Sequence, residues 1–114
     1  MKAADEDEVV RMLRALGDAR RFRMVREVAA AGELSCGELG SRFALSQPTI
    51  SHHLKILLDA GLVVARPAGQ HHYLSVDRER LRQLAGLLPE RLAPRARRKH
   101  PSKRGKPKTG RFAA

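Results

Sequence analysis

The sequence predicts a mainly helical domain that carries one small β-hairpin, and three observations lead to this fold class. A Ser-x-x-Glu pattern at Ser35 opens a short helix, which is expected to end near Phe43. Only two residues then precede Ser46, which caps a second helix, and two strand-like runs joined by a turn follow that helix. Helix, tight turn, helix and hairpin in this order are typical of a winged helix-turn-helix domain.

Two further helices are expected before this unit. The first follows the acidic residues 5–8, which suit the positive end of a helix dipole. Its apolar side consists of Val9, Met12, Leu13 and Leu16. The second helix covers residues 19–31, with most of its arginines facing outward. Its inward positions are expected to be Phe22, Val25, Val28 and Ala29.

The short helix that opens at Ser35 contains the one cysteine of the chain. Cys36, Leu39 and Phe43 follow one another at helical spacing and therefore share an apolar side. We expect Cys36 to be a buried core thiol, because it belongs to this side. A single cysteine also excludes a disulfide within the chain.

The helix that follows Ser46 is the candidate DNA-reading helix. Pro48 stands in its first turn, and Gly61 is expected to end it in the left-handed conformation. Its predicted buried stripe is Ile50, Leu54, Leu57 and Leu58. The opposite face and its flanks carry Gln47, Pro48, Thr49, Ser51, His52, Lys55 and Asp59. Such side chains pair with base edges or phosphates in a major groove, although a merely solvated polar face is the alternative.

The hairpin and the last helix complete the predicted domain. The strands are expected over residues 62–66 and 71–76, with the turn at 67–70. Arg66, Gln70 and His71 then lie near the tip of the wing, where they can meet phosphates or the minor groove. The last helix is expected to begin at Asp77 and end near Pro89. Its apolar side is Leu81, Leu84, Ala85 and Leu88.

Residues 16–25, 33–39, 45–55 and 60–63 resemble motifs of the ArsR/SmtB family of bacterial transcriptional repressors, in the family's order. The resemblance runs from about residue 8 to about residue 90. It implies a homodimer that represses by occupying an inverted-repeat operator, with the first and last helices as the dimer interface. Packing of both helices within one protomer is the alternative. The DNA contacts that the resemblance implies are Gln47, Thr49, Ser51 and His52, and the helical wheel independently supports His52 and Lys55.

Charge divides the chain into two parts. Residues 1–90 hold 13 Lys/Arg against 12 Asp/Glu, whereas residues 91–114 hold 10 Lys/Arg and no acid. We expect residues 1–92 to form the DNA-binding and dimerisation domain and residues 93–114 to be a disordered basic tail. Around Arg104 and Lys106 the tail looks like a loosened AT-hook, so it is expected to contact phosphates or an A·T-rich minor groove.

The sequence gives little indication of a sensing or catalytic centre. Relatives of this family hold metals through a Cys-x-Cys pair, whose positions are Ser35 and Gly37 here. The second family site corresponds to Asp77 with Glu79 and to Glu90 with Ala93, and it contains no histidine. No metal, cofactor or enzymatic activity is therefore expected, and the sequence identifies no small-molecule or protein inducer.

The chain is also expected to stay out of membranes and to work in the cytoplasm, associated with the nucleoid through DNA. No apolar run approaches the roughly 18 residues of a membrane span, and no apolar core follows the acidic start as in a signal peptide. The expected partners are double-stranded DNA and a second copy of the chain. A winged helix that binds RNA or another protein, with the tail as a general nucleic-acid anchor, remains the alternative function.

Overall fold

The computed structural model describes residues 6–96, which form five helices and a three-stranded antiparallel sheet. The elements are α1 (Glu6–Leu16), α2 (Ala19–Ala31), β1 (Leu34–Ser35), α3 (Cys36–Phe43), α4 (Gln47–Asp59), β2 (Val63–Ala68), β3 (His71–Val76) and α5 (Arg78–Leu92). In the sheet, β3 lies between β1 and β2. This arrangement confirms the predicted winged helix-turn-helix fold. No helix within residues 6–96 is long and apolar enough to cross a membrane.

The core lies where the helices meet the inner face of the sheet. Its largest fully buried side chains are Met12, Met24, Val28, Leu39, Ile50, Leu57, Leu62, Val63 and Leu74. Each helix from α1 to α4 contributes to this set, so the helix-turn-helix is supported from behind by α1, α2 and the sheet. Burial of these side chains is what holds the short helices in place, because helices of 8 to 13 residues are marginal on their own.

The predicted helix ends of the helix-turn-helix are confirmed. Ser35 and Glu38 form a reciprocal capping box at the start of α3, with both hydrogen bonds at 2.8–3.1 Å. The Ser46 side chain accepts a hydrogen bond from the amide of Thr49 at the start of α4. Beyond the end of α4, Gly61 has a φ of 78°, which is the left-handed conformation expected for it.

Two side chains predicted to face the core, Phe22 and Leu58, are exposed, and so is Leu13 on the predicted apolar side of α1. Phe22, Leu13 and Leu58 are 50%, 39% and 36% exposed. In α2 the buried side is centred on Met24 and Val28, and Phe22 lies about 200° from Met24 around the helix. Similarly, Leu13 and Leu58 each follow a fully buried residue and are rotated about 100° from it, to the edge of the apolar stripe.

Cys36 also differs from its prediction. It is half-buried rather than fully buried, although it packs against the core. The reason is its place as the first residue of α3, where the helix has just left β1 and has no preceding turn to cover the thiol.

The wing is longer than predicted, and a third strand joins it. Pro67 pairs with His72 and Ala68 with His71, so the turn consists of Gly69 and Gln70 alone. Pro67 is tolerated in β2 because β2 is an outer strand. The unpredicted strand β1 pairs with β3 through only two residues, too few to show an alternating pattern. The last helix also continues beyond the predicted end, through Pro89 to Leu92.

Candidate nucleic-acid interface

The polar face of α4 is exposed along its length, as the helical pattern predicts. Its apolar side is buried through Ile50, Leu54 and Leu57, each at most 5% exposed. The predicted DNA contacts on the helix that are exposed are Gln47, Ser51, His52 and Lys55. The fifth predicted residue, Thr49, is half-buried, and its hydroxyl lies 2.9 Å from that of Ser46. The helix therefore presents amide, hydroxyl, imidazole and ammonium groups on one surface.

One flank of this surface is fixed by an arginine that the sequence analysis did not single out. The guanidinium of Arg21 donates to the carbonyl of Ala15 at 2.8 Å and approaches Nδ1 of His53 to 3.3 Å. Because a guanidinium has no acceptor, Nδ1 of His53 accepts this hydrogen bond. Arg21 thus links α4 to the end of α1 and the start of α2.

His53 is suited to this role because it is held neutral. The side chain is buried, with 8% exposure. Burial is the main cause that lowers the pKa of His53, and the charge of Arg21 acts in the same direction, while Asp18 opposes it. A neutral imidazole can accept the hydrogen bond from Arg21, whereas a protonated one cannot.

On the wing, Arg66 contacts a carboxylate and an aromatic ring, while its side chain stays more than half exposed. Its guanidinium donates two hydrogen bonds to the Glu33 carboxylate, at 2.9 and 3.0 Å, and lies 5.1 Å from the centroid of the Tyr73 ring. These hydrogen bonds lower the pKa of Glu33 and raise that of Arg66. Sequence reasoning missed Glu33 and Tyr73, since the Arg66–Glu33 pair spans 33 positions.

The other predicted wing residues, Gln70 and His71, are exposed at the tip. Lys55 on α4 is paired with Asp59 at 3.3 Å, and both side chains remain more than half exposed. An ion pair this open to water is weak, so Lys55 can exchange the carboxylate for another anion. The predicted tail contacts, Arg104 and Lys106, lie outside the described residues.

A groove of about 380 Å³ separates α4 from the hairpin. Its apolar surface explains the exposure of Leu58, which lines it together with Leu54 and Leu74. Cys36 lies in the same lining, and Ser51, Lys55, Asp59 and His72 contribute its polar atoms. The groove marks the side of the reading face that adjoins the wing.

Comparison with known proteins identifies the family. The family described as a helix-turn-helix domain matches residues 11–66. The chain is 35% identical to the uncharacterized transcriptional regulator YceK of Bacillus subtilis, over 67% of this chain and 77% of YceK. It is 34% identical to the arsenical resistance operon repressor of the same organism, over 69% of this chain and 72% of the repressor. The chain belongs to the ArsR family of helix-turn-helix transcriptional regulators.

The solved structures agree with the assignment to the ArsR family. An ArsR-like transcriptional regulator from Rhodococcus sp. RHA1 superposes with a TM-score of 0.67 at 26% identity, covering 75% of this chain and 79% of the other. The protein is accordingly a DNA-binding transcriptional regulator, and the expectation of a non-enzymatic role is confirmed by the family. Within residues 6–96, no cluster of three His, Cys, Asp or Glu side chains is arranged to hold a metal ion.

Proposed function

We propose that this ArsR-family protein is a repressor that binds an inverted-repeat operator as a homodimer, with α4 in the major groove. The observation that carries the proposal is the exposed polar side of α4, which we call the reading face: Gln47, Ser51, His52 and Lys55. The opposite side of the helix is buried in the core. Amide and hydroxyl groups pair with base-edge donors and acceptors, and a lysine pairs with phosphate or guanine. Relatives named as repressors support the direction of regulation.

The proposed dimer interface consists of α1 and α5. Both helices expose apolar side chains that their own protomer does not cover: Val10 is 41%, Leu13 39% and Leu92 76% exposed. Two-fold symmetry also matches the symmetry of an inverted repeat. Sedimentation of Val10→Glu should show a monomer. Val64→Glu is the matched control, because Val64 is 45% exposed on β2 and should leave the dimer intact.

The wing and the tail are proposed to add contacts to the DNA backbone. Gln70 and His71 stand at the exposed tip of the hairpin, and Arg66 would reach a phosphate by exchanging its Glu33 partner. Arg104 and Lys106 in the tail would add sequence-independent phosphate contacts, or minor-groove contacts where the flank is rich in A·T. The protein would then work in the cytoplasm, at the nucleoid.

Selection of bound genomic DNA fragments tests the proposal directly. A repressor should enrich one duplex with an imperfect palindrome over bulk DNA and over RNA, and the recovered fragment would also name the regulated genes. On that duplex, Gln47→Ala or His52→Ala should cost roughly 1–3 kcal/mol, with little loss on random DNA, because base contacts carry specificity. Lys55→Ala should weaken both duplexes alike. Enrichment of RNA, or of no sequence, would contradict the proposal.

A further inference from the structure

Most basic side chains around the reading face already have an acidic partner. Lys55 is paired with Asp59 at 3.3 Å, and Arg66 with Glu33 at 2.9 Å. Arg42, near the end of α3, is paired with Glu27 at 2.8 Å. A phosphate must displace a carboxylate to bind any of these three cations. A cation that has no partner in the free protein is therefore expected to gain more from a phosphate than any of these three does.

The two flanks of the reading face have different neighbours. Ser51 and Leu58 line the groove toward the hairpin. His53 lies on the other side of α4, since residues 53 and 58 are about 140° apart around the helix. There the Arg21–His53 hydrogen bond brings the first turn of α2 against α4. The reading face is thus bordered by the wing on one side and by the start of α2 on the other.

Arg20 stands at this second border. It is exposed, and its amide is held by the N-cap Asp18 at 2.9 Å, so its backbone is fixed while its side chain is free to extend. Among the residues that the structure describes, its guanidinium has no hydrogen-bond or ion-pair partner. Glu27, the one acid of α2, is taken by Arg42.

We propose that Arg20 binds a backbone phosphate of the operator, on the side of α4 opposite to the wing. A helix in the major groove has a sugar-phosphate backbone on each of its flanks, and the wing serves only one of them. The planar guanidinium fork of arginine matches the geometry of phosphate oxygens. This inference rests on the proposed function, since it requires α4 to enter the groove.

The test compares Arg20→Gln with Arg26→Gln in the full chain. Arg26 is a matched control: it is exposed on the same helix, without a partner among the described side chains, and about 9 Å further along the helix axis. Arg20→Gln should lower the slope of log K against log salt by about 0.9, which is roughly an eightfold loss at 0.1 M salt. The loss should be equal on the preferred duplex and on a random duplex. Arg26→Gln should bind as the unmodified protein does.

A second experiment identifies the phosphate that Arg20 contacts. Neutral methylphosphonate links are placed one at a time along the strand that faces the α2 side. At one link the unmodified protein should lose the same eightfold, whereas Arg20→Gln should lose nothing further there. An unchanged salt slope in Arg20→Gln, an equal effect of Arg26→Gln, or a loss on the preferred duplex alone would each overturn the assignment. Failure of the proposed function would give a different result, because the unmodified protein would then prefer no duplex. The phosphate contact of Arg20 would in that case be tested by the salt slope of Arg20→Gln on random DNA.

Discussion

Arg80 of α5 connects the C-terminal end of α4 at Gly61 with Glu8 of α1, and a substitution of Gly61 should therefore change the stability of the fold by a measurable amount. Gly61 follows α4 with a φ of 78°, and the guanidinium of Arg80 lies against it. A Cβ added at Gly61 would lie 2.8 Å from Nε and 3.2 Å from Cζ of Arg80. Arg80 comes from α5 and reaches the Glu8 carboxylate of α1 at 3.9 Å. Its Nε is buried without a hydrogen-bond partner among the described residues.

Gly61→Ala should therefore destabilise the fold for two separable reasons. A left-handed alanine costs about 1–2 kcal/mol. Displacing Arg80 adds a packing cost of about 1 kcal/mol, the lower end of the range for overpacking, because a long side chain can partly move away. Gly69→Ala is the matched control: Gly69 has a φ of 63°, but nothing lies within 4 Å of its added Cβ. It should show the backbone cost alone.

The assay is equilibrium urea unfolding at one protein concentration, with Gly61→Ala, Arg80→Ala, the double variant and Gly69→Ala. If Arg80 supplies the extra cost, Gly61→Ala should cost no more than Gly69→Ala once Arg80 is truncated. The double-mutant cycle should then give a coupling of about 1 kcal/mol. Equal costs for Gly61→Ala and Gly69→Ala in the intact background, with no coupling, would refute the reasoning.

Three further predictions concern pH, metals and the tail. Burial is the main cause that lowers the pKa of His53 from its ordinary 6.5. The unfolded chain therefore takes up the proton first as pH falls, and the stability of the fold should decrease below about pH 6.5. His53→Asn keeps an acceptor for Arg21 and should reduce this loss of stability in thermal unfolding between about pH 7.5 and 5.5. Zinc, cadmium or arsenite should not release DNA, because Ser35 and Gly37 replace the cysteine pair; stoichiometric release abolished by Cys36→Ser would contradict this. Deleting residues 93–114 should leave the circular dichroism spectrum of the fold unchanged. The slope of log K against log salt should fall by about 0.9 per lost phosphate contact, and an unchanged slope would show that the tail does not contact phosphates.

The features that the sequence predicts well are local. Ser35 with Glu38, and Ser46 with Thr49, satisfy amides within one helical turn, so their spacing alone is informative. The left-handed Gly61 is similar, since the requirement lies in its own backbone. The exposed face of α4 follows from the same periodicity. Each of these depends on residues at most four positions apart.

The features that the sequence did not predict depend on partners far along the chain. Which side of α2 is buried is decided by α1, α4 and the sheet, and the apolar Phe22 is left outside. Strand β1 exists only because Leu34 pairs with Leu74 of β3. The hydrogen bonds of Arg21 to His53 and of Arg66 to Glu33 span more than 30 positions each. No pattern within one element can indicate such a pairing.

These distant pairs change how the charge of the protein should be interpreted. Counting basic residues near the reading face suggests that Lys55 and Arg66 provide much of the attraction for DNA. In the folded protein each of them already has a carboxylate partner, so each must give up that ion pair to bind a phosphate and gains less than a cation without a partner. Among the described residues, the Arg20 guanidinium has no such partner to give up, so its attraction for the DNA backbone is not offset in this way. Glu33→Gln should strengthen binding to any duplex, because it removes the carboxylate that is paired with Arg66.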